Sequence, residues 1–489
     1  MEPHKFTRKE LDKIFNNVVG KTLGEADTKN VFARTITHPK ITGIAGDVIE
    51  QSVLGYPANQ AKNPDLTVDD IDIELKTTGL RKPKKKKDLF FEAKEPMTIT
   101  AVSPHSITNE EFETSNFWHK LEHLLLVYYH YDSSKTVSAA EYADFIIEGF
   151  HFHEFSSEDK EILKKDWLIV RDFIQYLKDT YENPEDEYAR ISSDLKKTLM
   201  LIDTAPKWPH RPRFRLKRTT VSTIAQKHFG AKFEKLDETY TSLGELDNKL
   251  HLLSNQYKNK TVQELMDILG ITKKLNKKGD VNKGISEQII VKMFGGKAKK
   301  LNKIDLFSKI GIIPKTIVQT TKGSRTEDMK LFPIDFEEWT NPNTPFEDSF
   351  VYNYFNQQFL CIIFEEPSPE AKLLDNKFIG FKRMAIDESI VENEIRSIWE
   401  EIRDLINSNK LEEVPVLDKN QKQRFTPKTK KPMSALNFPK AKHNNFFLRG
   451  SGEDASKKTF SLNGIQMYKQ NVWMRGKFII SMLEDVDFI

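Results

Sequence analysis

The 489-residue chain runs through one plan twice, and that repetition constrains its fold more than any other feature. Phe112-Glu113-x-Ser115 returns as Phe346-Glu347-x-Ser349, and Gly149-Phe150 returns as Gly380-Phe381. Trp167-x-x-x-Arg171-Asp172-x-Ile174 returns as Trp399-x-x-x-Arg403-Asp404-x-Ile406. Glu50-Gln51 is matched by Glu287-Gln288, Asp65-Leu66 by Asp305-Leu306, and Lys76-Thr77 by Lys315-Thr316. A segment of Phe and Arg around Arg215 is echoed around Arg449. Every offset lies between 231 and 240. Each match is short, but their collinear order at nearly one offset predicts an ancient duplication. The expected domains are 1–235 and 255–489, joined by a linker at 236–254. A chain this long exceeds one ordinary core, which agrees with two domains.

Hydrophobic residues make up 38% and charged residues 30%, enough for sizeable cores in a water-soluble protein. No apolar run approaches the roughly 20 residues of a membrane span. The start, Met1-Glu2-Pro3-His4-Lys5, lacks the apolar stretch of a signal peptide. Cys361 is the only cysteine, so an internal disulfide and a cysteine-based zinc site are excluded. The expected location is the cytoplasm. The net charge of +3 is slight, so any surface for a polyanion must be local.

Within the first copy, Asn63 to Thr78 carries the densest chemistry. Pro64-Asp65 is a turn signal. Ile71, Ile73 and Leu75 then alternate with Asp72, Glu74 and Lys76, the period of a half-buried strand. Glu74 and Lys76 fall on one side of that strand, about 7 Å apart at the Cα atoms. Carboxylates hold a hard divalent cation. A lysine beside the metal neutralises charge on a phosphate while water attacks it. An acidic strand edge with Glu-x-Lys is also common on solvated surfaces, so the stretch alone does not decide. Asp65, Asp69, Asp70 and Asp72 all compete for the second carboxylate, and Asp72 shares the Glu74 face.

The surrounding segments fit a nucleic-acid partner. Gly43 to Gly55 reads as a buried helix carrying Glu50. Arg81 to Lys87 is a basic run, either a solvated loop or a phosphate contact. Residues 94–103 and 124–129 read as strands, and 158–180 as an amphipathic helix around Trp167. Residues 210–219 read as a basic strand with alternating Arg213, Arg215 and Lys217, suited to a DNA groove or backbone. The alternative for that strand is ion pairing with the acidic 181–194 region.

The copies differ where the chemistry would be. Glu74 aligns with Ile313, followed by Pro314, and Lys120 aligns with Tyr354. Proline removes a donor from the strand. The expectation is a catalytic first copy and a degenerate second one.

Three motifs in order, Gly46…Glu50, Pro64-Asp65…Glu74-Leu75-Lys76-Thr77 and Glu113-Thr114-Ser115-x-x-x-His119-Lys120-Leu121, resemble the mismatch-repair nicking endonuclease MutH. They resemble equally the type II restriction enzymes related to it that cut GATC, and two MutH-like halves fit those enzymes better. The resemblance implies an α/β (α+β) fold of two tandem restriction-endonuclease-like domains, each a mixed central sheet flanked by helices, of the PD-(D/E)xK nuclease kind. It implies Mg²⁺-dependent double-strand cleavage 5′ of the G in GATC, leaving four-base 5′ overhangs.

Carried onto this chain, the resemblance makes Asp65 and Glu74 the metal ligands. Lys76 stabilises charge and positions water, Glu50 orients or ligates, and Lys120 contacts phosphate. Arg215-x-Lys217 matches a base-reading Arg-Pro-Lys segment, with Leu216 in place of the proline. Arg449 is the expected DNA contact of the second copy. The implied partner is double-stranded DNA, engaged at two GATC sites by a monomer that pairs on DNA, with no membrane. Two other readings stand beside this one. One is a strand-nicking repair endonuclease; the other is a non-enzymatic protein bridging two DNA sites.

Overall fold

The computed structural model describes residues 4–56, 65–82, 91–133, 136–277, 279–323, 326–418, 420–426, 430–452 and 457–489. Pro64 and the part of the basic run from Pro83 to Lys87 lie outside the described residues.

The chain divides into two compact units, 1–133 with 137–253 and 284–313, and 134–136 with 254–283 and 314–489. This departs from the expected cut in two ways. Residues 284–313 pack with the first unit, and a helix, Leu243–Tyr257, runs through the expected linker at 236–254. The displaced segment carries Glu287 and Asp305, which the repeat had placed in the second copy.

The first unit is built on a mixed sheet. Strand β1 (His4–Phe6) runs parallel to β2 (Leu66–Val68), which pairs antiparallel with β3 (Ile71–Arg81). The short β4 (Glu92–Ala93) also pairs with β3. A second sheet begins with β5 (Met97–Ala101). The main sheet continues through β6 (Leu124–His130), parallel to β3, and β7 (Ile147–His153), antiparallel to β6. All seven residues of β6 are buried, as its unbroken apolar run predicts. The second sheet is completed by β8 (Ile202–Asp203) and β9 (Arg213–Leu216), in the order β5-β9-β8. The helix Ser157–Thr180 buries Ile162, Trp167, Val170, Ile174 and Leu177, and Ser156 caps its start.

In the second unit, β10 (Ile313–Thr320) opens a three-stranded sheet, and β11 (Met329–Pro333) belongs to another. The first sheet adds β12 (Gln358–Glu366) and β13 (Lys377–Ala385) in the order β10-β12-β13. A small ribbon follows, β14 (Glu413–Pro415) with β15 (Ser434–Leu436). Then come β16 (Phe446–Ser451) and a second ribbon of β17 (Phe460–Leu462) and β18 (Ile465–Met467). The last strand, β19 (Lys469–Met474), lies between β11 and β16.

The duplication is written into hydrogen-bond registers. In β6–β7, Tyr128 faces Gly149 and the register shifts immediately after; in β12–β13, Ile363 faces Gly380 and the shift recurs there. Ser115 accepts from the Trp118 N–H at 3.2 Å while its hydroxyl donates to the Phe112 carbonyl at 2.7 Å. Ser349 repeats both bonds with Tyr352 and Phe346, at 3.1 and 2.6 Å. Arg171 lies over the Trp167 ring at 5.5 Å, and Arg403 over Trp399 at 4.1 Å. Caps, bulges and stacked pairs recur because each is fixed by its neighbours in sequence or register.

Candidate active site

The centre of the first unit is the hairpin of β2 and β3. Its turn is Asp69-Asp70, both at positive φ (48° and 65°), the conformation of a two-residue hairpin loop. Leu66 faces Ile73 in the register, so Asp65 falls next to Glu74 across the hairpin. The Leu75 N–H donates to Asp65 Oδ2 at 3.0 Å and holds the carboxylate there. This geometry sorts the four candidate aspartates. Asp69 and Asp70 are spent on the turn, and Asp69 also accepts from the Arg8 backbone N–H at 3.1 Å. Asp72 is about half exposed, takes the Thr67 hydroxyl at 3.3 Å, and lies 4.0 Å from His119. Asp65 is the one brought to Glu74.

Glu74 is 1% exposed, and both its oxygens are occupied. Lys76 Nζ donates to Oε1 at 2.6 Å, while Lys120 Nζ donates to Oε1 at 2.8 Å and Oε2 at 3.0 Å. Lys76 comes from the same strand face. Lys120 follows the short helix Asn116–His119 that Ser115 caps, just before β6 enters the sheet beside β3. Burial and the nearby Glu74 carboxylate push the Asp65 carboxyl above its ordinary range.

Glu50 arrives from a different element. The helix Ile44–Val48 widens into a π turn over Ile49–Val53, which carries Glu50. Burial, then the carboxylates of Asp65 and Asp47, raise Glu50 to about 7. Gly46 sits on this helix where an added Cβ would lie 3.5 Å from the Thr77 hydroxyl, so helix and β3 approach closely. Buried Tyr56 is raised by burial and then by Glu50, Asp65 and Glu74, which puts it at the edge of the same acids.

A cleft of about 490 Å³ opens between these elements. Glu50, Asp47, Lys76, Thr77, Thr78, Glu95, Thr98 and Arg215 line it. Arg215 reaches it because β9 pairs with β5, Thr98 facing Arg215. Asp203 on β8 holds the Arg215 guanidinium at 2.6 Å. Lys217 is not among the lining residues; its ammonium donates to the Leu199 carbonyl at 2.6 Å. The sequence reading missed Asp203, Asp47, Glu95 and Tyr56. Only Asp47, next to Glu50 in one helix, carried a local signal.

Three carboxylates with hard oxygen donors suit a divalent cation of the magnesium type, which takes one or two carboxylates and completes its shell with water and phosphate. Burial first, and then the neighbouring carboxylates, raise Glu50 and Asp65, so an added cation would favour their ionised forms. No ready cage exists: among the described residues, no group of three or more His, Cys, Asp or Glu is arranged to hold a metal ion. The two lysines hold Glu74 instead.

Comparison with known proteins bears directly on this constellation. The sequence model of the family described as "DNA mismatch repair enzyme MutH" matches residues 54–166. That span includes Asp65, Glu74, Lys76 and Lys120 and excludes Glu50 and Arg215. The chain is also similar to the type II restriction enzyme Sau3AI of Staphylococcus aureus. The two are 25% identical over 479 residues, covering 90% of this chain and 92% of the relative. The chain is a restriction endonuclease. Its MutH-like part holds the acid-and-lysine cluster, and its two mixed α/β units fit the restriction-endonuclease-like fold.

Two of the pairings expected from the repeat are corrected by the structure of the endonuclease. Asp305 does not stand where Asp65 stands. It opens the helix Asp305–Ile310 within the first unit and pairs with Lys227 and Lys309 at 2.5 and 2.8 Å. Arg449 is not the counterpart of Arg215. It lies on β16, the partner strand of β19, and β19 is the strand that matches β9. At the place of the cluster, Lys315 donates to the Lys330 carbonyl at 3.3 Å and lies 5.8 Å from the Tyr354 ring.

Proposed function

We propose that the enzyme is a type II restriction endonuclease that cuts double-stranded DNA at GATC, 5′ of the G, with Mg²⁺. The carrying observation is the juxtaposition of Asp65 and Glu74 across the hairpin, with Lys76 and Lys120 on Glu74. Similarity to Sau3AI over nearly both chains supports the restriction reading over a purely nicking one.

In this reading Asp65 and Glu74 would hold the metal, with Glu50 beside them. When bound, the ion supplies positive charge to the scissile phosphate and lowers the pKa of an attacking water. Lys120 moves from Glu74 to a phosphate oxygen. Lys76 stays against the reacting phosphate and orients the water. Glu50, near the midpoint of its titration at neutral pH, is placed to exchange a proton with a water entering the cleft. Arg215, braced by Asp203, and Lys217 meet base edges.

The second unit is proposed as a non-catalytic DNA-binding effector. Ile313 and Tyr354 occupy the positions of Glu74 and Lys120, so a metal-binding carboxylate is missing there. Two catalytic units, from two chains paired on DNA, cut the two strands of the palindrome. A plasmid with GATC sites, incubated with Mg²⁺, should become linear with four-base 5′ overhangs. Nicked circles that never linearise favour repair-type nicking, the reading suggested by the MutH description. No cutting in Mg²⁺ removes the proposal. Faster cleavage of two-site than of one-site plasmids tests the effector role.

A further inference from the structure

The registers of the two units single out one cation in the second. On β5–β9, Met97 faces Leu216 and Thr98 faces Arg215; after a bulge, Thr100 faces Phe214 and Ala101 faces Arg213. On β11–β19, Met329 faces Met474 and Lys330 faces Trp473; after a bulge at the same place, Phe332 faces Val472 and Pro333 faces Asn471. The third strand agrees, since Ile202 and Asp203 face Leu216 and Arg215 as Phe446 and Phe447 face Met474 and Trp473. Both strands then turn directly into a helix, Arg218–His228 after Lys217 and Gly476–Glu484 after Arg475. Position by position, Trp473 stands for Arg215, Met474 for Leu216, and Arg475 for Lys217.

The side chains around this segment agree with a surface held ready. Arg449 pairs with Asp328 at 2.7 Å, and its guanidinium lies 4.9 Å from the Phe447 ring and 4.8 Å from the Trp473 ring. It braces Trp473 much as Asp203 braces Arg215, and its charge is already matched. Asp328 also accepts from the Gly476 N–H at 3.0 Å, and a Cβ at Gly476 would collide with the Thr326 carbonyl. The strand-to-helix corner is therefore pinned on both sides. Arg475 is tied there only through its backbone, its N–H donating to the Asn445 carbonyl at 2.8 Å. Its half-buried side chain has neither an ion pair nor a hydrogen bond among the described residues. An arginine on a pinned backbone, with its five donors unspent, fits a DNA acceptor pair.

We propose that Arg475, and not Arg449, is the residue with which the second unit reads a base of its DNA site, and that Arg449 is a positioning residue for Trp473. The proposal rests on the reading of the second unit as DNA-binding. The ligand is duplex DNA, and the contact is a bidentate guanidinium on a guanine edge.

The test uses the full chain with Glu74→Ala, to stop cutting, and with Arg215→Ala and Lys217→Ala, to silence the first unit's base contacts. Affinity for a GATC duplex and for an equal-length duplex without GATC is measured at one salt concentration. Adding Arg475→Ala should lower the preference for GATC by roughly 5- to 150-fold, the worth of one bidentate base contact. Affinity for the other duplex should change far less. Arg475→Lys keeps charge and length and should keep that non-specific affinity while losing part of the preference, which separates reading from folding. A preference unchanged by Arg475→Ala, or erased by Arg449→Ala alone with Arg475 intact, overturns the proposal. If the parent variant has no preference for GATC at all, the DNA-reading role of the second unit falls first, and the Arg475 assignment with it.

Discussion

Asp65 and Glu74, nine positions apart in sequence, are cross-strand neighbours because Asp69 and Asp70 close a two-residue turn between them. Their meeting depends on the parity of the loop. Inserting one glycine between Asp69 and Asp70 shifts the register by one and turns Asp65 to the opposite face. The insertion should leave the far-ultraviolet circular dichroism unchanged and reduce cleavage as much as Asp65→Asn does, on the order of 10³-fold. Replacing Asp69-Asp70 by Asn-Gly, the pair this turn prefers, should preserve cleavage. Loss of cleavage in the Asn-Gly variant would show that the turn carboxylates act in the chemistry.

Lys120 and Lys76 occupy the oxygens of Glu74 that a metal would need. Without DNA, Mg²⁺ or Mn²⁺ must compete with two ammonium groups. Titration calorimetry on the DNA-free enzyme should therefore give weak binding. Lys120→Ala should tighten it several-fold, since a competing charge-assisted bond of about 1.5–3 kcal/mol is removed. The same variant should cut more slowly, having lost the phosphate contact proposed for it. Unchanged metal affinity would mean that Lys120 does not guard Glu74 in solution.

What was legible in the sequence was local. The strand β3 and the apolar run of β6 each depend on a few adjacent residues, and each stands where it was read, although Ile71 is exposed and Glu74 buried, against the half-buried alternation. The Gly149-Phe150 and Gly380-Phe381 match marks one bulge repeated in register. What stayed hidden depends on partners from distant segments. Asp203 meets Arg215 only because β8 and β9 pair. Asp166, fully buried and raised to about 6 by that burial, accepts from the N–H groups of Met200, Leu201 and Ile202. Nothing beside it in the helix announces this. Arg449 was matched to Arg215 by a nearly constant offset, but the ribbons β14–β15 and β17–β18 lengthen the second copy before β19. The true counterpart therefore lies farther along the chain.

Glu50 links the site to stability. Its carboxyl is raised to about 7, above the ordinary range, chiefly by burial and then by Asp65 and Asp47, and Asp65 is raised in the same direction. The folded state thus binds a proton more tightly than the unfolded one. The stabilisation is fully present below the unfolded value near 4.5 and is lost as pH rises through about 7. The metal-free enzyme should gain about 1–3 kcal/mol on acidification across that window, after allowance for partial solvent screening. Denaturant melts at several pH values should show the trend, and Glu50→Gln should flatten it. Added Mg²⁺ should flatten it too, by favouring the ionised acids. A wild-type profile level from pH 5 to 8 would remove Glu50 from the cluster.

The first unit needs residues far beyond 235. Lys309 is 7% exposed and lies between Asp159, at 2.7 Å, and Asp305, at 2.8 Å, whose side chains are 13% and 10% exposed. Lys227 adds a second cation to Asp305 at 2.5 Å. Thr219 and Thr220 donate to the Lys309 carbonyl at 2.8 and 3.1 Å, tying the helix Arg218–His228 to the helix Asp305–Ile310. Removing the ammonium leaves one buried carboxylate uncompensated and the other dependent on Lys227 alone. Lys309→Ala should cost about 3–5 kcal/mol in denaturant unfolding. The double change Asp159→Ala with Lys309→Met should recover much of that loss, since it removes a charge of each sign and keeps bulk. A fragment ending at Lys235 should fail to fold as a soluble nuclease, because it lacks the helix that Lys309 anchors. Stable, active protein from that fragment would show that 284–313 is dispensable to the first unit.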